Sequence, residues 1–163
     1  MNTAEAIQRR SSTRGYTAQP LTDAEVEALV HAGLQAPTAT NRQELHFTVL
    51  KGDNPLLREI MDSDYYYGAP LMIVIGAEQG FRWSAVDAGI AVENIALAAE
   101  ELGLGSVIIG CIYDALRGEK SAYFEKALGF PEGYAYEIAI AVGHKATEKE
   151  PHTYDTAAQV TYL

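Results

Sequence analysis

Positive charge and cysteine are both scarce in this chain. Twelve lysines and arginines face 22 aspartates and glutamates, a net charge of -10 over 163 residues. A protein that grips a nucleic-acid backbone carries a basic stripe. None is visible, so nucleic acid is set aside as a partner, and an anionic membrane surface with it. Cys111 is the only cysteine, so no internal disulfide can form, which fits a reducing cytoplasm. Long apolar runs are missing too. The longest, Ala69 to Ala77, is far short of a bilayer span, and the N-terminus has no apolar signal-peptide core. The four histidines (His31, His46, His144 and His152) are scattered and form no HExxH, leaving zinc without support. There is no GxSxG elbow and no P-loop. Gly103-Leu104-Gly105 follows a helical pattern instead of opening one, so it is not a dinucleotide fingerprint. Nothing in the sequence around Cys111 and His144 marks them as a nucleophile and its base. A lone cysteine beside a strand is ordinarily a small hydrophobe.

What is present is ordinary globular material, 48% apolar and 21% charged, at a length that can bury a real core. No repeat or linker divides residues 1–163, which read as a single domain. The chain is organised around Trp83 to Gly110. Ser84-x-x-Asp87 reads as a capping box. Val86, Ile90, Ala91, Ile95, Ala98 and Leu102 recur at helical spacing, and Ala88, Val92, Leu97 and Ala99 fill the other faces. A helix apolar nearly all round belongs in a core or a subunit interface. Glu93 and Asn94 interrupt it and must find partners. Gly103 ends the helix in the left-handed conformation. Ser106 to Ile109 is a strand, and Gly110 lets another group approach its backbone.

Asn2-x-x-Glu5 and Thr22-x-x-Glu25 predict two further helices, ending near Arg10 and Gln35. Leu45 to Leu50, Ala69 to Gly76 and Tyr134 to Val142 read as strands, with short helices over Asn54 to Met61 and Ser121 to Leu128. Three segments offer chemistry. Arg9 to Arg14 holds three arginines and three hydroxyls, forked N–H and O–H donors suited to a phosphate; the alternative is a solvated basic turn. Ala36 to Gln43 exposes backbone donors and acceptors that can read the edge of a planar ring, or serves only as a connector. Asp64 to Gly68 carries three tyrosines, which either wall a pocket for flat ligands or pack at a core edge.

In this order and spacing the segments resemble the nitroreductase family of FMN-dependent oxidoreductases. Arg10-Ser11-Ser12-Thr13-Arg14 resembles the family's Arg-x-Ser-x-Arg/Lys, and Ala36-Pro37-Thr38-Ala39-Thr40-Asn41-Arg42-Gln43 its Ala-Pro-Ser-x-x-Asn-x-Gln. Gly68-Ala69-Pro70, the stretch Asp87 to Gly110, and Ala141-Val142-Gly143-His144 resemble its core-strand entry, its interface helix with following strand, and its last strand. The resemblance implies an α+β sandwich with a mixed, mostly antiparallel sheet flanked by helices, in a domain-swapped homodimer holding FMN at the subunit interface. It implies that Arg10, Ser12 and Arg14 hold the phosphate and ribityl end, with Ser11 where the family more often has Arg or His. Pro37, Thr38, Ala39 and Asn41, with Gln43 closing the motif, would line the ring from the partner subunit. Ile109 and Gly110 would present backbone near the redox-active ring nitrogen. Glu44 stands where proline is usual and Ile108 where tryptophan is common. Lys145, Lys149 and His152 are the candidates for a basic residue after Gly143-His144. The implied activity is hydride transfer from NADH or NADPH through FMN to a small electron-poor acceptor, a nitroaromatic or quinone. The alternatives are a non-catalytic dimeric flavin-binding or sensing protein, and a specialised flavin-dependent dehalogenase or flavin-fragmenting enzyme.

Overall fold

Two capping boxes set the first two helices. In the computed structural model, which describes residues 1–60 and 66–163, Asn2 and Glu5 exchange side-chain-to-backbone hydrogen bonds of 3.0 Å at the start of α1 (Thr3–Arg9). Thr22 and Glu25 do the same at 3.3 and 2.7 Å for α2 (Asp23–Leu34). Each pair satisfies N–H groups that a first turn leaves without an intrahelical acceptor. A single 3-10 turn, Ala39–Asn41, leads into β1 (Leu45–Lys51). Then come α3 (Pro55–Ile60), β2 (Leu71–Glu78), α4 (Ser84–Glu101) and β3 (Leu104–Ile109). They are followed by α5 (Tyr113–Arg117), α6 (Ser121–Ala127), β4 (Tyr134–His144) and the short α7 (Thr156–Gln159). Met61, expected as the end of the third helix, and Asp64 and Tyr65 of the tyrosine segment lie outside the described residues. Tyr66 and Tyr67 pack half-buried against the core.

The strands form one sheet in the order β1-β2-β4-β3, antiparallel in every ladder. Its parallel element among the described residues is the single bridge from Ser12 to Ser106. β2 is central and covered on both faces, so it reads as a continuous apolar run and not as an alternation. Leu71, Ile73, Ile75, Ile140 and Val142 face α2 and α4, meeting Leu29, Ala91 and Ile95. Met72, Val74, Ala139 and Ala141 face the opposite layer, where Leu57, Leu116 and Phe124 come from α3, α5 and α6. The result is the expected α+β sandwich.

The central helix departs from its sequence reading at its start. Trp83 occupies the cap position and no side chain caps the helix. Ser84 instead donates to the Glu78 carbonyl at 2.9 Å, and Asp87 accepts the Ala39 N–H at 2.9 Å. Residues that can cap a helix bond other backbone groups equally well when the fold brings those closer. The lack of a polar face on α4 has a direct consequence. One side buries Ala88, Ala91, Val92, Ile95 and Ala99, while Val86 (51% exposed) and Ile90 (37%) are left facing outward. Gly103 ends the helix as expected, with φ +75°. Neither α5 nor α7 has a signature in the sequence, because helices of five and four residues are too short for a periodic signal. No helix among the described residues is long and apolar enough to cross a membrane.

Candidate functional site

Arg10 leaves helical geometry (φ -51°, ψ 125°), and the chain then runs along β3. Ser12 bridges Ser106, and the Thr13 N–H donates to the Ser106 carbonyl at 2.8 Å. In an extended segment successive side chains point to opposite sides. Thr13 is buried against Gly105, where a Cβ would stand 2.6 Å from the Thr13 hydroxyl. Ser11 turns the same way and donates to the Lys149 carbonyl at 3.4 Å. Ser12 and Arg14 fall on the other side, which gives the Arg-x-Ser-x-Arg spacing a structural meaning. The Arg14 guanidinium is exposed and lies 5.9 Å from the Tyr67 ring centre. Arg10 Nε lies 3.4 Å from a Glu93 carboxylate oxygen. Of the basic residues expected after His144, Lys145 is held by the buried Glu100 at 2.9 Å, a carboxylate it shares with Arg9 at 3.5 Å. Lys149 and His152 are exposed.

From Ser106 the outer strand runs about 13 Å to Gly110 at the usual rise per residue. Gly110 is exposed, and a Cβ built there meets nothing within 4 Å. The other candidate segment lies elsewhere. Pro37, Thr38, Ala39, Asn41 and Gln43 precede β1, at the opposite edge of the sheet. Three strand spacings, about 14 Å, separate β1 from β3. Within this loop Thr38 Oγ1 accepts the Gln43 N–H at 2.8 Å, and Gln43 Nε2 donates to Asn41 Oδ1 at 3.2 Å. Thr40, Asn41 and Gln43 all have φ between 54° and 58°. Left-handed non-glycine residues are sparse, and they persist where surrounding contacts over-determine the backbone, often at functional sites. One chain therefore brings Arg10, Ser12, Arg14, Ile109 and Gly110 to one edge and the Pro37–Gln43 loop to the other. A separate cleft of about 570 Å³, lined by Pro20, Lys51, Arg58 and Tyr66, includes none of these residues.

Tyr136 has no signal of its own in the sequence, and Glu44 has one only as a departure from the family pattern. Tyr136 donates its hydroxyl to the Ile109 carbonyl at 2.8 Å across 27 residues of chain. Glu44, at the foot of the loop, is 3% exposed, and neither carboxylate oxygen finds a donor. Burial, and after it the nearby Asp87 carboxylate, pushes the Glu44 carboxyl above the ordinary glutamate value, against the pull of its own backbone N–H, which stays outside hydrogen-bond geometry, and the weaker pull of Arg42. Arg42 itself pairs with Glu78. A raised folded-state value means that the folded state prefers the proton. Below about pH 4.3, the ordinary value, both states are protonated and Glu44 costs nothing; as pH climbs through the raised value, stability falls. Glu44→Gln is therefore expected to stabilise the protein by about 1–3 kcal/mol near neutral pH and to make no difference near pH 4. Urea denaturation across that pH range checks it. A variant-minus-wild-type difference that does not change with pH means Glu44 does not titrate as a buried acid.

An antiparallel sheet between two helical layers, with an arginine–serine strip along its outer strand, places the chain among the nitroreductase-like α+β sandwiches. Residues 7–63 and 57–144 match the model of the Nitroreductase family, and the chain belongs to that family. A nitroreductase from Desulfitobacterium hafniense DCB-2, solved with bound FMN, is 32% identical and superposes with a TM-score of 0.89 over 100% of this chain and 99% of its own. An FMN-dependent nitroreductase from Clostridium difficile R20291 is 27% identical, with a TM-score of 0.80 over 99% of this chain and 96% of its own. The NADPH-flavin oxidoreductase of Vibrio harveyi is 28% identical over 88% of this chain, which spans only 65% of that protein's length.

Proposed function

We propose that this chain is an FMN-dependent oxidoreductase that takes hydride from NADH or NADPH and passes electrons to a small electron-poor acceptor of the nitroaromatic or quinone type. The observation that carries the reading is the donor strip Arg10–Ser12–Arg14, which leads along β3 to the open backbone at Gly110. It sits on a fold that matches an FMN-bound nitroreductase along the whole chain. The donor set suits FMN: guanidinium forks and a hydroxyl for the phosphate end, and an exposed peptide for the ring. FMN, when bound, supplies the hydride and electron chemistry. The protein's part is to bind and tune. Arg10 and Arg14 would hold the phosphate, Arg10 by exchanging Glu93 for it. Ser12 adds an O–H donor. The open Gly110 N–H would offer a donor to the negative charge that reduction adds to the ring. No acid–base pair is required.

The reading takes residues 1–163 as one FMN-binding domain of a cytoplasmic, domain-swapped homodimer, with no nucleic-acid or membrane partner. Two observations support the dimer. The ring-lining loop and the phosphate strip lie at opposite edges of one sheet, so a complete site needs the partner's Pro37, Thr38, Ala39, Asn41 and Gln43. The uncovered Val86 and Ile90 of α4 lie on the helix expected at the interface. Purified protein is expected to be yellow and to release FMN on denaturation. Anaerobically, NADH or NADPH should bleach the flavin, and a nitroaromatic or quinone should restore its colour. Protein that neither carries nor takes up FMN sinks the reading. Yellow protein that neither nicotinamide reduces points to the non-catalytic flavin-binding alternative.

A further inference from the structure

Tyr136 is 1% exposed near the start of β4, and its hydroxyl donates to the Ile109 carbonyl at 2.8 Å. Burial pushes this phenol well above its ordinary value, so it stays a donor at any working pH. The carbonyl it holds belongs to the peptide joining Ile109 to Gly110. A trans peptide is planar, and its C=O and N–H point in opposite directions. No peptide bond among the described residues is cis. Drawing the Ile109 carbonyl into the core therefore sends the Gly110 N–H outward. No described residue accepts from that N–H, and the space around Gly110 is open. The following peptide is fixed as well, since the Gly110 carbonyl accepts the Tyr113 N–H at 3.1 Å.

Tyr136 is itself held from α5. Arg117 Nε donates to the Tyr136 carbonyl at 2.7 Å, and the same guanidinium pairs with Glu137 at 2.6 Å. The Tyr113 ring meets the Tyr136 ring edge-on at 6.3 Å. A buried tyrosine needs some partner for its hydroxyl. Here the partner is the one carbonyl whose orientation decides where the Gly110 amide points, and a second element keeps the donor in place.

We propose that Tyr136 is a positioning residue that orients the Ile109–Gly110 peptide so that its N–H is presented to the flavin ring, and thereby raises the reduction potential of the bound flavin. The inference rests on the FMN reading of the site. A preoriented N–H stabilises charge that appears only on reduction, because no reorientation is needed at that moment. It does little for oxidised FMN, whose ring carries no such charge.

Tyr136→Phe removes the hydroxyl and keeps the ring. Folding of the apo variant is checked by amide NMR, where the Gly110 resonance is expected to shift. Oxidised FMN is expected to bind within about threefold of wild type, and the reduced form about tenfold more weakly, the scale of one hydrogen bond. With oxidised affinity unchanged, that tenfold loss appears as a midpoint potential lower by about 30 mV for two electrons, and by about 15 mV if the oxidised form also binds threefold more weakly. If Tyr136→Phe does not fold, Arg117→Met tests the same clamp from α5 and should move the potential in the same direction. A folded variant with an unchanged potential overturns the proposal, as does an equal loss of affinity for both redox forms. Failure of the wild-type protein to bind FMN rejects the cofactor reading instead, so the two failures are distinct.

Discussion

Arg14→Ala is expected to weaken FMN binding by about ten- to a hundredfold, the loss of a charge-assisted contact worth about 1.5–3 kcal/mol. The fold should hardly notice. Arg14 is exposed and makes no ion pair among the described residues; its contact is the Tyr67 ring. Surface changes away from structural features stay within about 0.5 kcal/mol. Arg10 differs because it is paired with Glu93. Removing it deletes one phosphate donor and also leaves the Glu93 carboxylate unopposed beside the anion, so Arg10→Ala should cost at least as much. The converse holds for Glu93→Gln, which frees Arg10 and should tighten binding. Titration of apo-protein with FMN, with thermal unfolding measured alongside, reads all three. Unchanged affinity in both alanine variants would remove the strip from the site.

Ile90→Asp should yield a folded monomer that has lost most of its FMN affinity. In an isolated chain Ile90 is 37% exposed and Val86 is 51% exposed, so a carboxylate is tolerated there. Across an apolar interface the same carboxylate is unpaired and desolvated, which costs several kcal/mol and separates the subunits. The monomer keeps Arg10, Ser12 and Arg14 but not the loop carrying Asn41, whose amide offers both donor and acceptor to a ring edge. Light scattering should give half the wild-type mass while far-UV circular dichroism stays the same. Mixing supplies the complementary test. Re-dimerised Arg14→Ala and Asn41→Ala subunits, in equal amounts, give about half heterodimers, each with one doubly damaged site and one intact site. About one site in four should then bind like wild type. If exchange is demonstrated by mass tagging and no such fraction appears, the sites are not shared between chains.

The features set by sequence alone are those that local spacing controls. Asn2-x-x-Glu5 and Thr22-x-x-Glu25 start helices because both partners of each box lie within one turn. The continuous apolar run at Ala69 to Gly76 reads as a buried strand, and the strand Leu71–Glu78 is there. Gly103 stops α4 because a left-handed residue costs glycine nothing. The Arg10–Ser12–Arg14 strip is a period-two pattern, visible once that segment is taken as extended. Tertiary structure decided whatever depends on which backbone groups meet across long separations. Ser84 and Asp87 have the chemistry of a capping box, yet they bond Glu78 and Ala39, which the fold holds nearer. Glu44 is an ordinary surface carboxylate by composition, and only burial beside Asp87 turns it into an acid that prefers its proton. The strand order β1-β2-β4-β3 sets the Pro37–Gln43 loop and the arginine strip at opposite edges. Tyr136 reaches Ile109 only because β4 lies beside β3. Side-chain chemistry and local period are written residue by residue, whereas the choice among equivalent hydrogen-bond partners is made by whichever one the packed sheet places within about 3 Å.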